Sequence, residues 1–143
     1  MKFMMLLKAD KVTESGRLPS RDDLAVMGKY NEEMLKAGVL VDGAGLQPSS
    51  KGARLTFRTD GTTQVTDGPF AETKELLAGY WVWQVKSLDE AIEWVKRMPA
   101  PDDDVGEAIV EIRPVFEVED FGDEFSPELR EREAALRAQT EGA

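Results

Sequence analysis

The sequence predicts an α+β fold with the ferredoxin-like strand and helix order βαββαβ, an inserted hairpin and a C-terminal helix. Short apolar runs typical of strands alternate with two segments of helical spacing, and a hairpin signal separates the two halves. In this order both helices cover one side of the sheet and leave the other side open. We expect a second copy of the chain to cover it, because pairing of identical sheets buries both faces.

The first strand and the first long helix have clear local signals. Residues 2–8, KFMMLLK, are a continuous apolar run that suits a strand buried on both faces. A helix is predicted within residues 18–38. Ser20 and Asp23 can form a capping box at its start, and Gly38 can end its last turn.

Glycines mark the middle of the chain. The second strand is predicted to break at Gly43, Gly45 and Pro48, because glycine and proline weaken strands and favour turns. Residues 53–66 then read as a hairpin, in which Leu55 and Phe57 alternate with polar side chains. The pair Asp60-Gly61 is the sequence preferred by a type I′ turn.

The second half repeats the strand and helix pattern. Residues 79–86, GYWVWQVK, are strongly strand-like, with Trp81 and Trp83 on one face. Ser87 and Glu90 have the spacing of a capping box at the start of a helix that Pro99 would end.

The last strand is predicted within residues 108–118, where a proline near the end favours an edge position. Ser126, followed by proline, can cap a terminal helix. We therefore divide the chain into a domain over residues 1–118 and an acidic C-terminal extension over residues 119–143.

Composition excludes several kinds of chemistry. The 143 residues include no cysteine and no histidine, so thiol nucleophiles, thiolate metal sites and Ser-His-Asp triads cannot be built. We expect no cofactor and no metal.

The net charge is −10, and residues 117–143 contribute −6 of it through nine acidic and three basic side chains. This balance disfavours nucleic acid as a partner, and we expect a cytoplasmic protein without membrane association.

One stretch carries a family resemblance. The sequence VTDGPFAETKELLAGYWVWQVKSLDEAIEWVKRMP (residues 65–99), with AGVLVDGAGLQPS upstream and EIRPVFE downstream, resembles the DGPF-domain branch of the YCII-related proteins. The resemblance extends over about residues 1–118. It implies a dimeric α/β-barrel type of fold, in which two ferredoxin-like sheets face one another. It also implies a role linked to sigma-factor regulation, and a regulatory protein is a further candidate partner.

The resemblance implies little about activity. Some members of the wider group are similar to cofactor-free lyases or isomerases for which a His-Asp pair is proposed. This chain has no histidine, so that pair cannot form here.

The first candidate site lies within the DGPF run. Asp67 could be an acceptor or a base in a pocket and Phe70 a pocket wall, although a turn anchored by Phe70 explains the same residues. Glu72 and Lys74 would share a face in an extended segment, as a polarising pair or as an exposed ion pair. Among these residues Lys74 is the best candidate for binding an anionic ligand.

Two further residues complete the candidate ligand-binding set. Asp42 lies in the glycine-rich segment VDGAG, whose backbone amides could hold an anion, although a turn explains it as well. Tyr80 begins a strand next to the DGPF run and could direct its hydroxyl into a pocket.

Three functions are open on this sequence. The first is a homodimeric module that binds a small molecule or a protein. The alternative is a cofactor-free lyase or isomerase acting on a small anionic or carbonyl compound, with Asp67 or Glu72 as the acid or base and Lys74 or Tyr80 polarising the substrate. The third is a purely structural dimer. A deep pocket around Asp67 would support the enzyme, and an exposed loop there would exclude it.

Overall fold

The computed structural model describes residues 1–141. Its helices and strands follow in chain order: β1 (Lys2–Lys8), α1 (Lys11–Glu14), α2 (Arg21–Lys36), β2 (Leu40–Gly45), β3 (Ala53–Phe57), β4 (Thr63–Asp67), β5 (Leu77–Gln84), α3 (Leu88–Lys96), β6 (Val110–Pro114) and α4 (Pro127–Glu141). Two 3₁₀ helices, Ser49–Lys51 and Val118–Glu124, lie between these elements.

The strands form two antiparallel sheets. The main sheet has the order β2-β5-β1-β6, and the hairpin β3-β4 is a separate two-stranded sheet. This is the ferredoxin-like order with an inserted hairpin, so the predicted α+β architecture and its C-terminal helix are confirmed. Pro114 is the last residue of the edge strand β6, as its missing N–H predicts.

Local capping signals set the ends of α2. The Ser20 hydroxyl accepts the Asp23 N–H at 3.1 Å, and the Asp23 carboxylate accepts the Ser20 N–H at 3.1 Å. At the other end Gly38 has φ +73°, and the Val39 N–H reaches back to the Met34 carbonyl at 2.9 Å. Both predicted ends of this helix are confirmed.

The start of α3 differs from the prediction. The Ser87 hydroxyl accepts the Glu90 N–H, but the Glu90 carboxylate accepts the N–H of Lys86, one residue earlier than a capping box requires. The short helix α1 is an addition to the predicted elements. Asp10 and Thr13 cap its start reciprocally: the Asp10 carboxylate accepts the Thr13 N–H, and the Thr13 hydroxyl accepts the Asp10 N–H.

The core lies between the main sheet and the helices α2 and α3. Met5 and Trp83 are fully buried, and Tyr30 and Met34 of α2 pack against them. The strand register places Phe3 opposite Trp83 and Met5 opposite Trp81, so these four side chains share the face that the helices cover.

The opposite face of the main sheet is apolar at its centre, carries Asp42, Glu111 and Arg113 on its edge strands, and is not covered by a helix within residues 1–141. We call it the open face. The cross-strand pairs Met4–Val82 and Leu6–Tyr80 form its centre, and all four residues are only partly buried. The prediction that β1 is buried on both faces is therefore wrong for the single chain, since only its helix-facing side is fully covered.

The predicted break at Gly43 is also wrong, although β2 does end at Gly45, before Pro48. The strand runs through Gly43 to Gly45, paired with β5. A Cβ atom on Gly43 would lie 2.4 Å from the Trp81 ring, so glycine is needed there for close packing and not for a turn. Trp81 thus explains a glycine that resembles a strand breaker in the sequence.

The hairpin turn does not use the predicted type I′ geometry. That turn needs positive φ at both central residues, but within residues 1–141 every residue with positive φ is a glycine, so Asp60 is excluded. Instead Gly61, at φ +88°, donates its N–H to the Arg58 carbonyl at 3.0 Å, and the Arg58 N–H reaches the Thr62 carbonyl at 2.9 Å. The result is a five-residue loop that closes the predicted hairpin.

The C-terminal extension folds back on itself through one arginine. Arg130 of α4 donates to the carbonyls of Phe125 and Gly122 at 2.8 and 3.1 Å. These bonds hold the start of α4 against the preceding 3₁₀ helix. Across residues 1–141 none of the helices has the length and apolar character needed to span a membrane.

Candidate functional site

The DGPF run joins the hairpin to the body of the protein. The Gly68–Pro69 peptide bond is cis. A Cβ on Gly68 would lie 1.8 Å from the Ser49 carbonyl oxygen, so only glycine fits at this contact. Ser49 also accepts the Phe70 N–H at 3.0 Å through its hydroxyl, and its own N–H donates to the Glu14 carboxylate at 3.0 Å. These contacts tie the run to α1 and to the loop after β2.

Asp67 and Phe70 lie at the base of this hairpin. Asp67 is the last residue of β4 and is exposed, so the single chain gives it none of the burial expected of a general base. Phe70 is half-buried beneath the guanidinium of Arg54, which lies 4.1 Å from the ring centroid. Phe70 is not part of the main core, so it anchors the hairpin against Arg54 instead.

Glu72 and Lys74 separate in the structure. The segment from Ala71 to Leu76 is a series of turns, with the Glu75 N–H bonded to the Glu72 carbonyl at 2.9 Å. Glu72 points to Arg54, with its carboxylate oxygen 3.7 Å from a guanidinium nitrogen. The prediction that both side chains share one extended face is therefore wrong, because the backbone turns between them.

Lys74 lines a cavity of about 280 Å³ at the end of β1. Hydrogen bonds set its walls: the Ala9 N–H bonds the Leu76 carbonyl at 2.8 Å, and the Lys8 N–H bonds the Ile109 carbonyl at 3.0 Å. Three lysines line the cavity, and we call it the lysine pocket: Lys8, Lys11 and Lys74.

The lysine pocket also has three acidic neighbours, two of which are engaged elsewhere. The Asp10 carboxylate caps α1, and Asp104 forms an ion pair with Arg17 at 2.6 Å. That hydrogen bond from Arg17 lowers the pKa of Asp104, which favours its ionised form. Glu107 is the third acidic residue. Within residues 1–141 none of the three lysines forms an ion pair with a carboxylate. The cations thus stay available to an anion.

Asp42 and Tyr80 form a third group, on the open face. The Tyr80 hydroxyl lies 3.5 Å from one Asp42 carboxylate oxygen, a long hydrogen bond, and the other oxygen accepts the Gly43 N–H at 2.8 Å. Asp42 lies within β2 and not in a glycine-rich break, as the register with Val82 shows. The six predicted site residues therefore occupy three separate places.

The sequence reasoning missed Lys8 and Lys11 as neighbours of Lys74. Lys8 ends an apolar strand and Lys11 begins a short helix, and neither position has a local signal of binding. A lysine at the end of an apolar strand is the clue that the sequence offers. Within the described residues no cluster of three or more acidic side chains could hold a metal ion.

Comparison with known proteins identifies the family. The YCII-related domain matches residues 1–119, which contain all six strands and the helices α1 to α3. The chain belongs to the YCII-related family. This YCII-related chain is 40% identical over 95 residues to an uncharacterised protein, R00369, of Rhizobium meliloti (strain 1021), and the match covers 66% of this chain and 71% of that protein.

One solved structure is also similar to this YCII-related chain. It is the 5-chloro-2-hydroxyhydroquinone dehydrochlorinase of Burkholderia phenoliruptrix AC1100, in complex with 2,5-dihydroxybenzoquinone. The TM-score is 0.44 at 19% sequence identity, and the match covers 82% of this chain and 95% of that one.

Proposed function

We propose that this YCII-related protein is a homodimer that binds a small anionic compound in the lysine pocket. One observation carries the ligand class: Lys8, Lys11 and Lys74 line a single cavity, and within residues 1–141 none of them has an ion-pair partner. In a protein with net charge −10, three lysines without ion-pair partners around one cavity are unusual, and a carboxylate or phosphate ligand would pair with them.

The open face supports the homodimer. Its central pairs Met4–Val82 and Leu6–Tyr80 are apolar, yet no helix in the described part of the chain covers them. Pairing of two such faces would remove them from water and complete a barrel of the dimeric α/β type. The apolar character of both sides of β1 is then explained by burial in the dimer.

A thermal-shift titration tests the ligand class. Purified protein would be titrated with phosphate, acetate, succinate and benzoate, alongside Lys74→Ala and the control Lys29→Ala. Lys29 is exposed on α2 and lies outside the pocket, so its loss changes the net charge equally. We expect at least one anion to raise the melting temperature by mass action, and Lys74→Ala to weaken its affinity by about tenfold or more.

Two results would contradict the lysine pocket as an anion site. One is the absence of any stabilisation by the four anions in the wild type. The other is an equal loss of affinity in Lys74→Ala and Lys29→Ala, since a general charge effect would then explain it.

Membership in the DGPF branch and a role linked to sigma-factor regulation are finer proposals. The run D-G-P-F-A-E-T-K at residues 67–74 supports the branch. The acidic extension over residues 119–143 supports a basic regulatory partner, because like-signed charge concentrated on one segment attracts the opposite sign. Such a partner should bind the full chain and lose affinity as salt rises. Salt-independent binding would argue against it.

A cofactor-free lyase or isomerase is the second candidate function. The Asp42–Tyr80 pair supports it, because a hydroxyl beside a carboxylate can move a proton at a carbonyl compound. If the protein is an enzyme, it should turn over a bound compound, and Tyr80→Phe should abolish this turnover. Binding without turnover leaves the binding module as the function.

A further inference from the structure

A second cavity, of about 440 Å³, lies between the middle of α2 and the helix-covered face of the sheet. We call it the glycine pocket. It shares no lining residue with the lysine pocket. Its main lining residues come from β1, α2, β2 and β5: Leu7, Met27, Asn31, Leu40, Gly45 and Trp81.

Paired glycines create the empty space. Gly45 of β2 lies opposite Gly79 of β5, so neither strand places a side chain at this point of the helix-covered face. A Cβ on Gly45 would meet no atom within 4 Å, whereas the Trp81 ring already fills the equivalent space at Gly43. The cleft opens to solvent at the edge strand β2, where Gly45 is exposed, and a cleft of this size beside a tryptophan has room for a ligand.

Asn31 gives the pocket a fixed polar group. The indole N–H of Trp81 donates to the Asn31 amide oxygen at 3.2 Å, and because an indole N–H can only donate, the oxygen must face it. The amide nitrogen of Asn31 then donates no hydrogen bond within residues 1–141 and remains available to an acceptor. No charged side chain lines the cavity within the same residues.

We infer that the glycine pocket binds a neutral, flat, mostly apolar compound that carries a carbonyl acceptor. The bare backbone of Gly45 and Gly79 forms one flat wall, Trp81 offers an aromatic surface, and Asn31 donates to the carbonyl. An anion is disfavoured, because the cavity offers no cation to offset its desolvation. This site is independent of the anion site proposed above.

The test titrates the full-length protein with acetophenone and monitors binding by ¹H–¹⁵N NMR. Two comparison compounds are titrated in the same way: toluene, which lacks the carbonyl acceptor, and benzoate, which carries a charge. We expect saturable shifts of the Asn31 side-chain amide and the Trp81 indole N–H with acetophenone, and little or no response to benzoate. Asn31→Ala should weaken acetophenone binding by about three- to tenfold, the effect of one lost hydrogen bond, and leave toluene binding unchanged.

Filling the cavity supplies the decisive variant. Gly45→Leu places a side chain into the empty space, where its Cβ would meet no atom within 4 Å, and it should abolish binding of acetophenone. Gly28→Leu is the matched control, because a Cβ on Gly28 would also meet no atom within 4 Å but Gly28 lies outside the cavity. If Gly45→Leu does not fold, Met27→Phe reduces the same space from the helix side.

Two outcomes would overturn the site: no saturable shift in the wild type, or equal acetophenone binding in Gly45→Leu and Gly28→Leu. Lys74→Ala should not change acetophenone binding. A failure here is therefore distinguishable from a failure of the lysine pocket.

Discussion

Tyr30 joins the two helices of the core through a single hydroxyl. It is buried, and its hydroxyl donates to the Trp94 carbonyl of α3 at 2.6 Å. Burial raises the pKa of this phenol to about 12, and the nearby Glu33 carboxylate adds to the effect while Arg97 opposes it. The folded protein therefore resists ionisation of a group that the unfolded chain ionises near pH 10.

This residue predicts a specific loss of stability at alkaline pH. Because the folded pKa is the higher one, the stabilisation is complete below about pH 10 and is lost as the pH rises towards about 12. We expect the free energy of unfolding to fall by about 2–3 kcal/mol over this interval on account of Tyr30. Tyr30→Phe should remove this decrease of stability with pH. At neutral pH the variant should be less stable than the wild type by about 1 kcal/mol, because it lacks the hydrogen bond to Trp94.

Urea denaturation at a series of pH values measures both effects. Tyr80→Phe is the control, since it removes the other tyrosine of the chain, which lies on the open face. The same alkaline slope in Tyr30→Phe and in the wild type would show that Tyr30 does not cause the loss.

At the scale of elements, the hairpin β3-β4 depends on a few contacts with the body. All ten of its strand residues are exposed, so it has no core of its own. Two hydrogen bonds hold it: the Gly68 N–H donates to the Gly52 carbonyl at 3.1 Å, and the Phe70 N–H donates to the Ser49 hydroxyl. Gly68 also packs closely against the Ser49 backbone. An isolated two-stranded hairpin is marginal in water, so these contacts decide whether it is ordered.

Gly68→Ala should therefore loosen the hairpin without unfolding the protein. Its Cβ would lie 1.8 Å from the Ser49 carbonyl oxygen, and the loop must move to relieve the clash. Gly52→Ala is a matched control, because its Cβ would lie 3.7 Å from the same oxygen, an ordinary contact. Hydrogen exchange should become faster for residues 53–67 in Gly68→Ala only, while the amides of β1 and β5 stay protected.

Equal hydrogen exchange in the two variants would mean that the contact with Ser49 does not hold the hairpin. Faster exchange of β1 and β5 as well would mean that the hairpin is part of the global folding unit, and the element would then not be separable from the sheet.

For the whole molecule, the open face is the side of the main sheet with an apolar centre that no helix of residues 1–141 covers. Val82 lies near its centre, opposite Met4 on β1. We expect the wild type to be a dimer in solution and Val82→Glu to be a monomer, because a carboxylate buried between two apolar sheets would lose its hydration without a partner. Light scattering after gel filtration gives the mass directly.

Leu18→Glu is the control for this test, since Leu18 is 83% exposed and lies outside the sheet. It should keep the dimer mass. A wild type with the mass of one chain, or a Val82→Glu variant that stays dimeric while folded, would show that the open face is not the interface.

The candidate site can be predicted only in part, for reasons visible in particular residues. Lys74 is predicted from the sequence as an anion-binding residue, and it lines a cavity in the structure. Its companions Lys8 and Lys11 lie more than sixty positions away in sequence, and they reach the pocket because β1 pairs with β5 and the loop before β5 folds back to Ala9. The predicted pairing of Glu72 with Lys74 is wrong, because the turn between them has no strong sequence signal.

Local sequence signals predict the order of the strands and of the helices α2, α3 and α4, the ends of α2 and the resemblance to the YCII-related family. These depend on local chemistry: the Ser20 cap, the left-handed Gly38, and apolar residues repeating at the period of one element. Contacts between distant parts of the chain are needed to show that Gly43 makes room for Trp81, that Gly45 leaves a cavity, and that three lysines meet. Packing joins residues that are far apart in sequence, and a glycine has the same local preferences whether the space beside it is filled by a neighbour, by a ligand or by solvent at a turn.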